Sequence, residues 1–362
     1  FPAPEKGQEF QSLNLNQSVY LHRLGTAQAD DRLVFATPDR PKLLHGTEIT
    51  DDGRWLLIQS VEGTDERYEV SLLDLRDPKA VPRLIVPGFE HSFDLIGNQG
   101  DTIFLKTNKG ASNYRIVKFD ARAKGPVNFI EVVPESKSLL EDASVVGDKL
   151  IASYLEDAKS VVRVFGLDGA ARGAVQLPGI GYAAGFSGEY GNDETFYSYS
   201  SFNSPPALYR YDAATGASTV FKAPKTPFDA SQYVVRQVFF PSKDGTKVPM
   251  FIAHRKGLDL SKGAPTLLYG YGGFNISLPP AFSTSRLAWM EMGGVYAVAN
   301  LRGGGEYGKT WHDAGRLLEK QNVFDDFIAA GEFLIREGVT TKDQLAILGG
   351  SNGGLLVGAV VN

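Results

Sequence analysis

Cysteine is absent from the sequence, which excludes a disulfide framework, a thiolate nucleophile and any cysteine-bound metal. A chain without thiols is indifferent to redox state, so this absence leaves the compartment open, cytoplasmic or periplasmic. An excess of positive charge is missing as well. Lys and Arg number 37 against 42 Asp and Glu, a formal net charge of −5, so no nucleic-acid partner is expected. No apolar run approaches the roughly 18 residues of a membrane span, so no membrane partner is expected either. The N-terminus, Phe1-Pro2-Ala3-Pro4-Glu5-Lys6, lacks an initiator Met and a signal-peptide pattern. The C-terminus stops at Val360-Val361-Asn362, directly after an apolar run. Both ends read as cuts in a longer chain.

What is present is a globular composition, 43% hydrophobic and 22% charged over 362 residues, a length that suits two domains. Aromatics at 11% and 40 glycines lean toward short strands and many turns. One cadence recurs: an alternating apolar strand, then Asp, then a turn. It appears in Tyr68-Glu69-Val70-Ser71-Leu72-Leu73-Asp74 and Tyr114-Arg115-Ile116-Val117-Lys118-Phe119-Asp120. It returns in Val161-Val162-Arg163-Val164-Phe165-Gly166-Leu167-Asp168 and Ala207-Leu208-Tyr209-Arg210-Tyr211-Asp212. The aspartates are spaced by 46, 48 and 44 residues, and a weaker copy starts at Val19. Further short strands lie between them, each after a turn such as Asp51-Asp52-Gly53 or Val146-Gly147-Asp148. Four strands in roughly 45 residues is the period of a propeller blade, and about five copies are visible. A β-sandwich with accidental spacing is the competing architecture.

The grammar changes after Phe221-Lys222-Ala223-Pro224-Lys225-Thr226-Pro227, which predicts a β-propeller over residues 1–225 and a second domain over 226–362. In the second domain, strands are predicted at 234–240, 248–254, 266–269, 295–300 and 345–348. The last three are apolar enough to be covered on both faces. A helix is predicted at 323–337 from Phe324, Phe327, Ile328, Leu334 and Ile335. Alternating strands and helices argue for an α/β sheet.

Gly349-Gly350-Ser351-Asn352-Gly353 fits G-x-S-x-G, with the apolar strand 345–348 before it and a run suited to a buried helix after it. Such a turn presents the serine at the end of a strand, where helix N-terminal amides favour developing negative charge. The alternative is a Gly-rich turn with an uninvolved serine. Serine needs a base oriented by a carboxylate, yet only 11 residues follow Ser351 and none is His, Asp or Glu. One oxyanion donor is expected from the backbone N–H of Asn352. The other is expected from the loop Tyr269-Gly270-Tyr271-Gly272-Gly273-Phe274-Asn275, where a tyrosine hydroxyl can replace the usual loop N–H.

With these segments in view, the chain resembles the prolyl oligopeptidase (prolyl endopeptidase) family of serine peptidases. The resemblance is carried by Tyr269 to Ser277, by Asn300-Leu301-Arg302-Gly303-Gly304-Gly305-Glu306-Tyr307-Gly308, and by Gly349 to Gly354. The segment Phe239-Phe240-Pro241-Ser242-Lys243-Asp244-Gly245-Thr246 resembles the family too. It implies a partial β-propeller, seven-bladed in the family, followed by a partial α/β-hydrolase domain that lacks the triad Asp and His. It implies Ser351 as nucleophile, the Tyr271 hydroxyl and the Asn352 N–H as oxyanion donors, and Phe274 as an apolar wall of the proline pocket. It further implies short proline-containing peptides as substrates, no cofactor and no metal, and a monomer at full length.

The remaining polar motifs take structural readings. Arg302 and Glu306 are expected to brace the loop beside the elbow. Trp311-His312-Asp313 is expected to be structural, because adjacent helical residues do not face one site. Asp325 and Asp326 are expected on a solvated helix start. Two other functions stay open: a non-catalytic binding fragment that uses its propeller face, and an esterase-type acyl hydrolase. A hydrolase sheet ending at its elbow helix exposes apolar surface and a strand edge. The isolated 362-residue chain is therefore expected to aggregate and to lack activity, which soluble monomer hydrolysing a Gly-Pro amide would contradict.

Overall fold

Short apolar-polar alternations closed by Gly- and Asp-containing turns fold residues 18–222 into hairpin-linked antiparallel sheets. The computed structural model describes residues 1–362 except Pro4, Glu5, Glu9, Ser12, Thr64, Glu66, Pro126 and Pro227. Pro4 and Glu5 of the N-terminal stretch, and Pro227 of the expected boundary, therefore lie outside the described residues. The chain forms two compact units, Phe1–Glu135 and Ser136–Asn362.

In the first unit, β1 (Ser18–Leu21) and β2 (Arg32–Ala36) pair with each other. A four-stranded sheet follows, with β3 (Leu43–Ile49), β4 (Trp55–Glu62), β5 (Tyr68–Asp74) and β6 (Arg83–Val86) in chain order. The next sheet repeats that plan with β7 (Phe93–Gln99), β8 (Thr102–Thr107), β9 (Arg115–Asp120) and β10 (Ile130–Val133). Trp55, Leu57, Val70 and Leu72 of one sheet bury against Phe93, Ile103, Leu105, Val117 and Phe119 of the other. Face-to-face burial of this kind is the main term holding such sheets together.

The second unit opens with two more sheets of the same plan. One holds β11 (Leu139–Val146), β12 (Lys149–Glu156), β13 (Lys159–Gly166) and β14 (Ala171–Ala174). The other holds β15 (Tyr182–Gly185), β16 (Glu194–Ser201), β17 (Ser204–Asp212) and β18 (Ala217–Lys222). The recurring aspartate now has a physical task. Asp74, Asp120, Asp168 and Asp212 stand at or just past the end of each third strand. Their carboxylates accept the backbone N–H of Arg76, Arg122, Ala170 and Thr215, closing the turn to the outer strand.

Beyond these sheets come β19 (Tyr233–Pro241), β20 (Lys247–Arg255), β21 (Thr266–Tyr269), α1 (Thr284–Glu291), β22 (Val295–Ala299), α2 (Lys309–Asp313), α3 (Gln321–Arg336), β23 (Leu345–Leu348) and α4 (Asn352–Val360). The five strands form one sheet in the order β19-β20-β22-β21-β23, antiparallel as far as β22 and parallel thereafter. Its core includes Met250, Ile252, Leu268, Ala297, Val323, Phe327, Leu334 and Leu356. Two expectations change here. β23 is covered on one face only, with Leu348 47% exposed, and α4 buries Gly353 and Leu356 while Leu355 is 58% exposed. Among the described residues β23 pairs with β21 alone, as the edge strand, and its exposed residues are Ala346 and Leu348.

Asp326 corrects a third expectation. It is fully buried, and its carboxylate takes the Arg302 backbone N–H at 3.0 Å, Nε at 3.0 Å and Nη2 at 2.6 Å. Arg302, also buried, reaches Asp244 at 2.5 Å and Ser242 Oγ at 3.3 Å. Hydrogen bonding to Arg302 holds the Asp244 carboxyl down at about 2. Asp325 faces Lys243 at 3.7 Å instead. A long-range partner turned a helix-start aspartate inward, which no local pattern reveals. Removing one member of a buried ion cluster leaves uncompensated charge, so Asp326→Ala is expected to cost about 3–5 kcal/mol in urea denaturation. A loss within experimental error would show that Asp244 alone suffices for Arg302.

Candidate active site

Three parallel strands end level with one another. Tyr269 pairs with Val298 on one side and with Leu348 on the other. The loops that follow, beginning at Gly270, Asn300 and Gly349, therefore emerge side by side at the carboxyl edge of the sheet, the usual location of sites in open α/β sheets.

Ser351 sits between β23 and α4 with φ 54° and ψ −117°, a left-handed conformation that costs a non-glycine residue about 1–3 kcal/mol. It is exposed at the head of the helix. The two motif glycines make this turn possible. A Cβ on Gly349 would lie 2.2 Å from the Gly353 carbonyl oxygen, and one on Gly353 would lie 2.7 Å from the Gly270 carbonyl oxygen. Gly350 and Gly354 have nothing within 4 Å and are not sterically required.

The loop carrying Tyr271 and Phe274 is held by side chains from four other segments. Asn352 Nδ2 donates to the Tyr271 carbonyl at 2.6 Å, and Lys320 Nζ donates to the Gly272 carbonyl at 2.7 Å. His312 Nδ1 lies 3.1 Å from the Asn275 nitrogen and 2.8 Å from the Gly303 carbonyl oxygen. Glu306 Oε1 accepts the Leu278 N–H at 2.9 Å. Phe274 and Asn275 are both left-handed, and Phe274 is 72% exposed. Neither Ser351 Oγ nor the Tyr271 hydroxyl hydrogen-bonds to another described residue. The roles of Lys320 and the Asn352 side chain escaped sequence reasoning, because both act on carbonyls distant in the chain.

The profile described as prolyl oligopeptidase, N-terminal beta-propeller domain, matches residues 1–224, and that of the prolyl oligopeptidase family matches 280–362. The chain belongs to the prolyl oligopeptidase family. Among curated relatives, the prolyl endopeptidase of Elizabethkingia meningoseptica is 41% identical over all 362 residues, which cover 51% of that protein. The Dictyostelium discoideum prolyl endopeptidase is 38% identical, again over 100% of this chain and 51% of its own length. The chain thus spans about half the length of the curated relatives it matches. Among solved structures, one from a mechanistic study of two prolyl endopeptidases aligns with TM-score 0.77 and 50% identity over 97% of this chain and 51% of that one. Prolyl oligopeptidase B from Galerina marginata, bound to a 25mer macrocyclization substrate, aligns with TM-score 0.91 and 29% identity over 100% and 51%. The fold is accordingly a β-propeller followed by a partial α/β-hydrolase domain of this family.

In that family framework, the Gly-rich segment 300–308 supports the Tyr271 loop through Glu306. Glu306 is fully buried, and Asn300 Nδ2 donates to its Oε1 at 3.2 Å and to the Leu278 carbonyl at 2.9 Å. Its Oε2 has no hydrogen-bond partner among the described residues. Burial pushes the carboxyl up to about 7, and the hydrogen bonds from Leu278 and Asn300 offset only part of that. The folded state therefore holds a proton that the unfolded chain releases near 4.5. Stability is highest below that value, falls as pH rises through the window up to about 7, and then levels off. Glu306→Gln, neutral throughout, is expected to flatten this decline and to be more stable than the parent at pH 8 by on the order of 3 kcal/mol. Parallel pH profiles for the two proteins in chemical denaturation would show that Glu306 ionises at no cost.

Proposed function

We propose that the chain is the propeller and nucleophile-bearing part of a serine peptidase that cleaves short peptides on the carboxyl side of proline. Residues 1–225 would form the propeller and 226–362 the start of the peptidase domain. The observation that carries this reading is the strained, exposed Ser351 at the head of α4, beside the loop of Tyr271. The names of the relatives, prolyl endopeptidases, support the substrate class.

In this reading Ser351 Oγ attacks the proline carbonyl carbon and gives its proton to a general base, which no residue after Ser351 in this sequence provides. The carbonyl π pair moves onto oxygen. The Asn352 backbone N–H and the Tyr271 hydroxyl hold that oxyanion, and collapse expels the amine, which takes the proton back from the base, to leave an acyl-enzyme that water hydrolyses. Phe274, exposed on the same loop, offers an apolar face to the proline ring. Tyr271→Phe in the full-length protein is expected to lower kcat on a Gly-Pro amide severalfold to hundreds-fold, since one oxyanion donor is typically worth about 3–4 kcal/mol. An unchanged kcat removes Tyr271 from the mechanism. Faster turnover of simple esters than of prolyl amides would favour an esterase.

A further inference from the structure

Lys320 stands where α3 begins and is half-buried. Nζ donates to the Gly272 carbonyl at 2.7 Å, and no carboxylate lies within ion-pair distance of it among the described residues. Two other partly covered lysines meet carboxylates, Lys106 with Asp94 at 3.2 Å and Lys149 with Asp148 at 2.6 Å, while Lys159 meets the Gln237 amide oxygen at 3.2 Å. A half-buried ammonium whose one described side-chain partner is a carbonyl dipole is only partly compensated. Burial accordingly moves its pKa below the ordinary lysine value, with no neighbouring acid to oppose the shift.

The carbonyl that Lys320 holds is not an incidental one. Gly272 is left-handed, with φ 59°, and a Cβ there would lie 2.3 Å from Val323 Cγ1, so its backbone rests directly on α3. On one side, the Tyr271 carbonyl is held by Asn352. On the other, a Cβ on Gly273 would lie 2.5 Å from Asn352 Nδ2. The peptide plane following Gly272 lies between these two contacts with Asn352, and its carbonyl is held by Lys320 instead.

We propose that Lys320 is a positioning residue for the reaction: its ammonium, held on the Gly272 carbonyl, sets the turn that carries Tyr271 and keeps a positive charge waiting beside it. The inference rests on the oxyanion role given to Tyr271 above. Attack by Ser351 creates the negative charge that the lysine lacks at rest, so its contribution grows toward the transition state and appears in kcat more than in KM.

The test compares Lys320→Met, Lys320→Arg, Tyr271→Phe and the Lys320→Met/Tyr271→Phe pair in the full-length protein. Turnover of a Gly-Pro amide and the rate of Ser351 labelling by a fluorophosphonate are both measured, and thermal unfolding monitors the fold. Lys320→Met is expected to lower kcat about tenfold or more with KM nearly unchanged, and Lys320→Arg to restore part of the loss. Labelling should slow in parallel, and the Met substitution should cost clearly less once Tyr271 is already Phe. Factors that multiply independently of Tyr271, an effect confined to KM, or an unchanged kcat would overturn the proposal. Where Lys320→Met fails to fold, the Arg variant carries the test: slower labelling with an intact fold supports positioning, and parent-like labelling overturns it. A parent protein that labels at Ser351 but spares prolyl amides would refute proline specificity alone, and the labelling rates would still decide the role of Lys320.

Discussion

The approach of Gly353 to the Gly270 carbonyl is the contact on which the site depends. With a Cβ at position 353 the gap would be 2.7 Å, shorter than real side-chain carbons tolerate against backbone oxygen. The parallel pairing of β21 and β23 brings the two loops to the same edge, and this backbone contact then seats the first turn of α4 on the loop after β21. From that seat, Asn352 Nδ2 reaches the Tyr271 carbonyl. A methyl group at Gly353 would push the helix off the loop and break that bond. The strained backbone of Ser351 persists because its surroundings leave it no alternative, and strain of this kind concentrates where a side chain must be presented.

Around this contact, charged side chains are handled in three different ways. Arg302 is matched by two carboxylates, Asp326 and Asp244, and acts as a fixed brace between α3 and the loops. Glu306 is matched by hydrogen bonds on one oxygen only, and it relieves the remaining cost by holding a proton up to about 7. Lys320, half-buried, meets one carbonyl and no carboxylate among the described residues, and burial moves its pKa below the ordinary lysine value. Full pairing gives rigidity, protonation gives a group indifferent to nearby anions at low pH, and incomplete pairing gives a field that an arriving anion can complete.

The period of 44 to 48 residues made the blades legible, because each blade repeats the same turn chemistry at the same Asp. The strands 266–269 and 345–348 were legible to the residue, being short apolar runs between glycine-rich turns. The elbow was legible as a motif, but the sequence could not say which of its glycines is sterically obligatory. Asp326 was misread because its partner lies 24 residues away and its helix position looks like any solvated first turn. Lys320 reaches a carbonyl 48 residues away, and the pattern around it holds no sign of that bond. Local signals report secondary structure and turns, whereas pairings of buried polar groups are settled by topology, after the strands have taken their order.

One turn in the second unit ties a blade to this same support. Asp157 and Ala158 close the hairpin between β12 and β13, both left-handed, with Glu156 paired to Lys159. Alanine in that conformation costs about 1–2 kcal/mol, which glycine would avoid. Ala158 is nonetheless fully buried, packed among Phe202, Tyr233 and Phe251, so its methyl group fills apolar space that glycine would leave open. The Asp157 carbonyl accepts from Gln237, and its carboxylate accepts the Tyr307 hydroxyl at 2.8 Å. Tyr307 directly follows Glu306, the residue that holds Leu278 at the end of the Tyr271 loop. The blade hairpin is therefore tied, through the Asp157–Tyr307 bond, to the residue next to Glu306, and the blade and the loop share one set of restraints.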